Sequence, residues 1–228
     1  MGELVLWVTG GSSGIGAAIA GRAAAAGHRA FVTGRDGKRL DRFLNEAADQ
    51  ERVAGQVSDT SDWEATREAA KAAVERFGRL DAVVANAGFS TPGDFAGGDP
   101  EQWRDMVLTN VYGVALTVKA SLPYLLETKG SVMLIGSVAG TRIVPGSLYG
   151  ATKAAVHAIG ENLRAQLVGT DVRVSVIQPG RVETPFWETA PDIALDADDV
   201  AAAALWILDQ PEGIDVNEVR VRPTGQER

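Results

Sequence analysis

Apolar residues fall into short, nearly unbroken runs along this chain: LVLWVT (4–9), AFVT (30–33), AVVAN (82–86), VMLIGS (132–137) and RVSVIQ (173–178). Runs without polar alternation are the pattern of strands covered on both faces of a parallel sheet. Between them lie long stretches of good helix formers with helical periodicity: residues 14–27, 63–78, 100–127 and 149–167. Asp62 and Asp99 stand before two of these as N-terminal caps or near-caps. The late stretch DADDVAAAALWILDQ (196–210) is also helical, and NEVRVRP (217–223) alternates as an edge strand would. Repeated strand–helix alternation predicts an α/β, Rossmann-type doubly wound sandwich, with about seven mostly parallel strands and helices on both faces. GFSTPGDFAGG (88–98) reads as a loop, and no Pro- or Gly-rich linker divides residues 1–228. One domain is expected.

Composition narrows the chemistry. The 228 residues carry a formal net charge of −8, so neither nucleic acid nor an anionic membrane is expected as the main partner. An anionic ligand then needs a local basic pocket. With no cysteine, a thiolate nucleophile or cysteine-held metal is excluded. His28 and His157 are far apart without ligand-like neighbours, so no metal site is expected. The first residues lack signal-peptide character, and no apolar run approaches the roughly 20 residues of a membrane helix. A cytoplasmic protein is expected.

The first strand runs directly into TGGSSGIG (9–16) and then into a helix. A dinucleotide pyrophosphate needs a tight turn, bare backbone and helix N-terminal amides, which Gly10, Gly14 and Gly16 could supply. A simple tight turn is the alternative. The second strand ends in TGRDGKRL, which sets Arg35 where an adenosine ribose would lie, with Lys38 and Arg39 a turn further on. A planar guanidinium suits a 2′-phosphate, so NADP(H) is favoured over NAD(H). Asp36, turned inward, would bind the ribose hydroxyls instead, and a solvated helix start is the plain alternative. SLYGATKAA (147–155) puts Tyr149 and Lys153 four apart, on one helix face. Alone they read as a surface pair, Ser137 as a strand-end hydroxyl, and Asn110 as a helix kink or cap.

Taken in order, these motifs resemble the short-chain dehydrogenase/reductase family over nearly the whole chain. TGGSSGIG matches its T-G-x-x-x-G-x-G turn, ANAG (85–88) its N-A-G element, and NVYG (110–113) its asparagine-bearing helix. Ser137 ends the fifth strand, Tyr149 to Lys153 is Y-x-x-x-K, and PGRVET (179–184) matches P-G-x-x-x-T. The resemblance implies interconversion of a carbonyl and a secondary alcohol by hydride transfer. Tyr149 is then the general acid/base, and Lys153 lowers its pKa and binds the nicotinamide ribose. Ser137 stabilises the substrate oxygen, and Asn110 holds a water that links Lys153 to solvent. The cofactor set it implies is Gly10, Ser12, Ser13, Gly14, Ile15, Gly16, Arg35, Gln56, Val57, Asn86, Ala87 and Gly88. Tyr149, Lys153, Pro179, Gly180, Val182 and Thr184 complete it.

Gln56 stands where the family often has an aspartate toward the adenine, and its carbonyl can still accept that hydrogen bond. PFWETAPDIALD (185–196) is shorter than the usual lid, which suits a bulky substrate or a neighbouring subunit closing the pocket. Phe89, Val138, Arg142, Ile143, Phe186 and Trp187 are the expected pocket residues, with Arg142 and Arg181 as possible anion anchors. The C-terminal segment resembles the NADP-dependent 3-hydroxy acid and serine dehydrogenases, which points to a hydroxy or oxo acid. The short lid points to a bulkier ketone. A homotetramer or homodimer is expected, formed through the helices near 100–127 and 149–168 and the last strand. An NADP-binding sensor or scaffold without turnover is the rival reading. An epimerase-type member would need a C-terminal substrate domain, for which there is no room.

Overall fold

A sheet covered on both faces needs strands with no polar side to offer. The computed structural model, which describes residues 2–187, 189 and 191–226, has seven strands, of which the inner five are so covered. The seven are β1 (Val5–Thr9), β2 (Arg29–Gly34), β3 (Val53–Val57), β4 (Ala82–Ala85), β5 (Ser131–Ile135), β6 (Arg173–Pro179) and β7 (Glu218–Val221). All pair in parallel, in the order β3-β2-β1-β4-β5-β6-β7. The helices are α1 (Gly14–Ala25), α2 (Gly37–Glu46), α3 (Trp63–Phe77), α4 (Pro100–Val107), α5 (Gly113–Thr128), α6 (Leu148–Gln166) and α7 (Ala197–Leu208). Side chains of α3, α5 and α6 join one core cluster, around Trp7 and Leu134. Those of α1, α2 and α7 join the other, around Leu6, Val8 and Ile177. The Rossmann-type doubly wound sandwich is therefore present, and β7 is an edge strand. No described helix is long and apolar enough to cross a membrane.

Two details depart from the pattern read in the sequence. The stretch 100–127 is not one helix, because a π-helical turn at Leu108–Tyr112 separates α4 from α5 and carries Asn110. Such turns widen the helix by a residue and recur at functional positions. The edge strand β3 is only partly covered, so its VAGQV lacks the continuous apolar signature. Asp62 and Asp99 do cap α3 and α4, accepting from Ala65 N (2.7 Å) and Glu101 N (2.9 Å).

Strand order reverses at β1: the chain passes outward to β2 and β3, then returns to β4 on the other side. Such a reversal opens a crevice at the carboxyl ends of the central strands. Here β1 and β4 are fastened across its floor. Thr9 Oγ1 accepts from the backbone N–H groups of Asn86 (3.1 Å) and Ala87 (3.2 Å). Asn86 Nδ2 donates back to the carbonyls of Thr9 (2.9 Å) and Gly10 (3.2 Å). Thr9→Val keeps the shape and removes the acceptor, so two amides lose their partner. Unfolding free energy from urea denaturation should fall by about 2 kcal/mol, and Thr9→Ser should recover most of it. An unchanged midpoint in Thr9→Val would contradict this account of the fastening.

Candidate active site

The glycines after β1 do different things. Gly10 adopts φ +63° and lies so close to the β4 loop that a Cβ would come within 2.9 Å of Ala87 Cα. A Cβ on Gly16 would meet Asn86 Nδ2 and the Gly10 carbonyl at 2.5 Å. These two let the turn pack down onto β4. Gly14, at φ +54°, faces the other way: a Cβ there would stand 3.2 Å from the Thr184 side chain after β6. Ser13 stands at the N-cap of α1 without a side-chain cap bond, and the first turn holds no acidic residue. By contrast α2, α3, α4 and α6 are capped by Asp36, Asp62, Asp99 and Ser147, and at the start of α7 the Asp199 carboxylate accepts from Asp196 N at 2.9 Å. The α1 amides beside half-buried Ser12, Ser13 and Ile15 thus keep their capacity for an anion.

Toward β2 and β3 the chemistry turns basic. Arg35 is exposed, and its guanidinium lies 5.6 Å from the centre of the Phe89 ring, bridging from the β2 end to the β4 loop. Asp36 does not point inward: Oδ1 accepts from Arg39 N at 3.0 Å and Oδ2 lies 3.7 Å from the Arg39 guanidinium. Its carboxylate is spent on capping α2. Gln56 is paired in register with Thr33 at the end of β3, and Val57 beside it is 57% exposed. Phe89, expected in a substrate pocket, therefore has its face turned to Arg35.

Around β5 and α6 the candidate catalytic residues converge. Lys153 is 5% exposed, and its Nζ donates to the Ile135 carbonyl at 2.7 Å. The same Nζ lies 5.9 Å from the centre of the half-buried Tyr149 ring. Ser137 leads a 3₁₀ turn (Val138–Gly140), and its Oγ accepts from Ala139 N at 3.1 Å. Asn110 Oδ1 accepts from Phe89 N (3.0 Å), and its Nδ2 donates to the Phe89 carbonyl (2.8 Å) and to Thr152 Oγ1 (3.1 Å). Thr152 in turn donates to the Tyr149 carbonyl at 2.8 Å. Thr152, hidden inside Y-x-x-x-K, links the β4 loop to the first turn of α6, and no sequence signal marked it.

Burial dominates the electrostatics. It pushes the Tyr149 phenol up to about 12, against the lowering pull of its hydrogen bond with Ser137. It pushes the Lys153 ammonium down to about 8. The lowering of the phenol by the ammonium, expected from the helical spacing, does not prevail in the chain alone. Desolvation disfavours each charged form separately, and the Lys153 hydrogen bond goes to a carbonyl.

Beyond β6, the short segment after Thr184 is pinned at its far end by the bridge between Val182 and Leu195. Trp187 Nε1 donates to the Val182 carbonyl at 3.0 Å, and the Phe186 ring lies 5.6 Å from that of Tyr149. Glu188 and Ala190 lie outside the described residues. Pro179 ends β6, and Gly180 N donates to the Val221 carbonyl at 2.7 Å. Val138 is buried, Arg142 and Arg181 are exposed, and Ile143 is 92% exposed. A cleft of about 150 Å³ is lined by Tyr149 together with Thr91, Asp94, Trp103, Met106 and Leu148 among others. Sequence reading missed these residues, because α4 and the β4 loop meet the β5–α6 loop only in three dimensions.

The arrangement defines a dinucleotide-binding α/β fold with a Tyr–Lys–Ser cluster at the carboxyl edge of its sheet. The family model described as short chain dehydrogenase matches residues 4–193, and the chain belongs to that family. An uncharacterized oxidoreductase of Staphylococcus saprophyticus is 38% identical over 97% of each chain. The alcohol dehydrogenase of Thermococcus sibiricus, complexed with 5-hydroxy-NADP, superposes with a TM-score of 0.91 at 31% identity, covering 99% of both chains. Serine dehydrogenase from Escherichia coli gives 0.87 at 31% identity, covering 99% of this chain and 100% of its own. The chain is thus an oxidoreductase of this family.

The Lys153 shift has a consequence for stability. Its folded pKa is about 8 against 10.5 unfolded, so the folded chain binds fewer protons between those values. The stability is fully present above 10.5 and is lost as pH falls through about 8. Lys153→Met removes this dependence. Relative to the parent, the variant should gain about 3 kcal/mol in unfolding free energy between pH 10.5 and 8. Parallel pH–stability curves for the two proteins would contradict a desolvated ammonium.

Proposed function

We propose that the protein is an NADPH-dependent carbonyl reductase, with Tyr149 delivering the proton to the substrate oxygen. The observation that carries this reading is the convergence of Ser137, Tyr149 and a buried Lys153 beside an uncapped helix N-terminus. When bound, the reduced nicotinamide supplies the hydride. A phenol pushed up to about 12 stays protonated at neutral pH, which suits donation in the reductive direction. Ser137 Oγ, which lowers the pKa of that phenol, is near enough to donate to the oxygen that gains charge. Lys153 has donors left after the Ile135 bond, and these would hold the nicotinamide ribose. The Asn110 amide is committed to Phe89 and Thr152, so its part is to hold the β4 loop and the start of α6 in register.

The strand order supports one direction for the cofactor. Val57, Gln56 and Arg35 would take the adenosine 2′-phosphate end, and the α1 amides with Ser12, Ser13, Ile15 and Gly14 the pyrophosphate. Asn86, Ala87 and Gly88 would border the ribose, and Pro179, Gly180, Val182 and Thr184 the carboxamide. Arg35 is favoured as the phosphate ligand because Asp36 is withdrawn into the α2 cap. Among the described residues, the lining of the cleft beside Tyr149 has one carboxylate, Asp94, and no cation. That composition supports an uncharged ketone or aldehyde with an apolar substituent over an oxo acid.

Titration with NADPH and NADH, followed by nicotinamide fluorescence, tests the reading. NADPH should bind about tenfold or more tightly than NADH, since an arginine–phosphate bond contributes roughly 1.5–3 kcal/mol. Arg35→Ala should remove that difference and leave NADH binding unchanged. Equal binding of both cofactors to the parent would contradict the NADP assignment, and binding of neither would overturn the proposal.

A further inference from the structure

Tyr149 and Lys153 are followed at the same helical interval by His157, one further turn along the buried side of α6. Its ring is half-buried and lies against the peptide that leads into Ser137. The Ser137 backbone N–H donates to His157 Nε2 at 3.4 Å. Gly136 has no side chain at the place where the imidazole sits, and a Cβ there would collide with His157 Nε2 and press on Val176 at 3.0 Å. A glycine beside Ser137 leaves that peptide free to rotate unless something holds it.

We infer that neutral His157 is the positioning residue for Ser137, its Nε2 accepting the serine's backbone N–H and so fixing where the Ser137 hydroxyl points. The inference rests on the proposed role of Ser137 at the substrate oxygen. An accepting Nε2 requires the proton on Nδ1. Protonation of Nε2 replaces the acceptor with a second donor facing the Ser137 N–H, and the anchor is lost. What remains to hold Ser137 lies within the same short turn: its Oγ accepts from Ala139 N, and its carbonyl accepts from Gly140 N at 3.0 Å.

The surroundings favour the accepting form. Burial lowers the His157 pKa from its ordinary 6.5. The charged groups facing the ring are Lys153 from α6 and Arg220 from β7, which lower it further, and Glu218 from β7, which raises it. Arg220 is steadied by a 3.1 Å bond from its Nε to Gln178 Oε1 on β6. At neutral pH His157 therefore accepts, and acid releases Ser137.

The chain has only two histidines, so the ring signal lost in His157→Gln identifies His157 in an NMR titration. The Ser137 amide should shift with the same midpoint as that ring, below 6.5. Turnover of a probe ketone, 2,3-butanedione with NADPH, should lose kcat with that midpoint while KM for NADPH stays constant. His157→Leu should lower kcat roughly five- to tenfold at neutral pH, as for one lost hydrogen bond. His157→Gln, whose carbonyl can accept, should restore most of that loss and abolish the acid limb. A Ser137 amide that stays flat while the ring titrates would overturn the inference, as would an acid limb that survives in His157→Gln. Absence of probe turnover by the parent would count against the proposed function, whereas the amide titration alone decides the His157 contact.

Discussion

A cation taken out of water at the end of a parallel strand is the constraint on which this site depends. Among the described residues Lys153 makes one hydrogen bond, to the carbonyl that ends β5, and its burial brings its pKa to about 8. The same desolvation pushes Tyr149 to about 12. The phenol is thus kept protonated at neutral pH, whereas burial works against the charge of its lysine neighbour, whose pKa still lies above neutrality. Removing water has a cost in stability, and the dense packing of β4, β5 and β6 supplies the offset. The cluster can exist only because the strands beneath it are covered on both faces.

Strand order then turns a one-dimensional sequence into an ordered crevice. Because β1 lies centrally, with β2 and β3 on one side and β4, β5 and β6 on the other, a basic end and a catalytic end face each other across the glycine turn. The Thr9–Asn86 fastening sets the floor, and Asn110 with Thr152 sets the height of α6 above it. Each of these residues is small and polar, and each satisfies backbone groups that a loop at a strand end would otherwise leave unpaired.

Much of this was legible in the chain. Unbroken apolar runs reported β1, β2, β4, β5 and β6 because those strands are buried on both faces. The half-covered edge strand β3 lacked that signal. The break at Leu108–Tyr112 was hidden, since a π-helical turn uses ordinary helix-compatible residues. Tyr149, Lys153 and Ser137 were legible as a constellation with fixed spacing, and the structure brings them together. The Phe89–Arg35 stack, the Thr152 link and the cleft with Asp94, Trp103 and Met106 were not, because each joins segments distant in sequence. The balance between burial and charge at Tyr149 also escaped: helical spacing gives proximity, whereas desolvation depends on everything packed around the ring.

The most direct test of the central claim is single-turnover reduction of a probe ketone with NADPH carrying deuterium at both C4 positions, in the parent and in Tyr149→Phe. The account predicts deuterium at the carbinol carbon of the product. It also predicts that Tyr149→Phe binds NADPH as the parent does but reduces the probe about 10²- to 10⁴-fold more slowly, the contribution of a positioned proton donor. Turnover by Tyr149→Phe at the parental rate, or NADPH oxidation that leaves no deuterium in the alcohol, would contradict it.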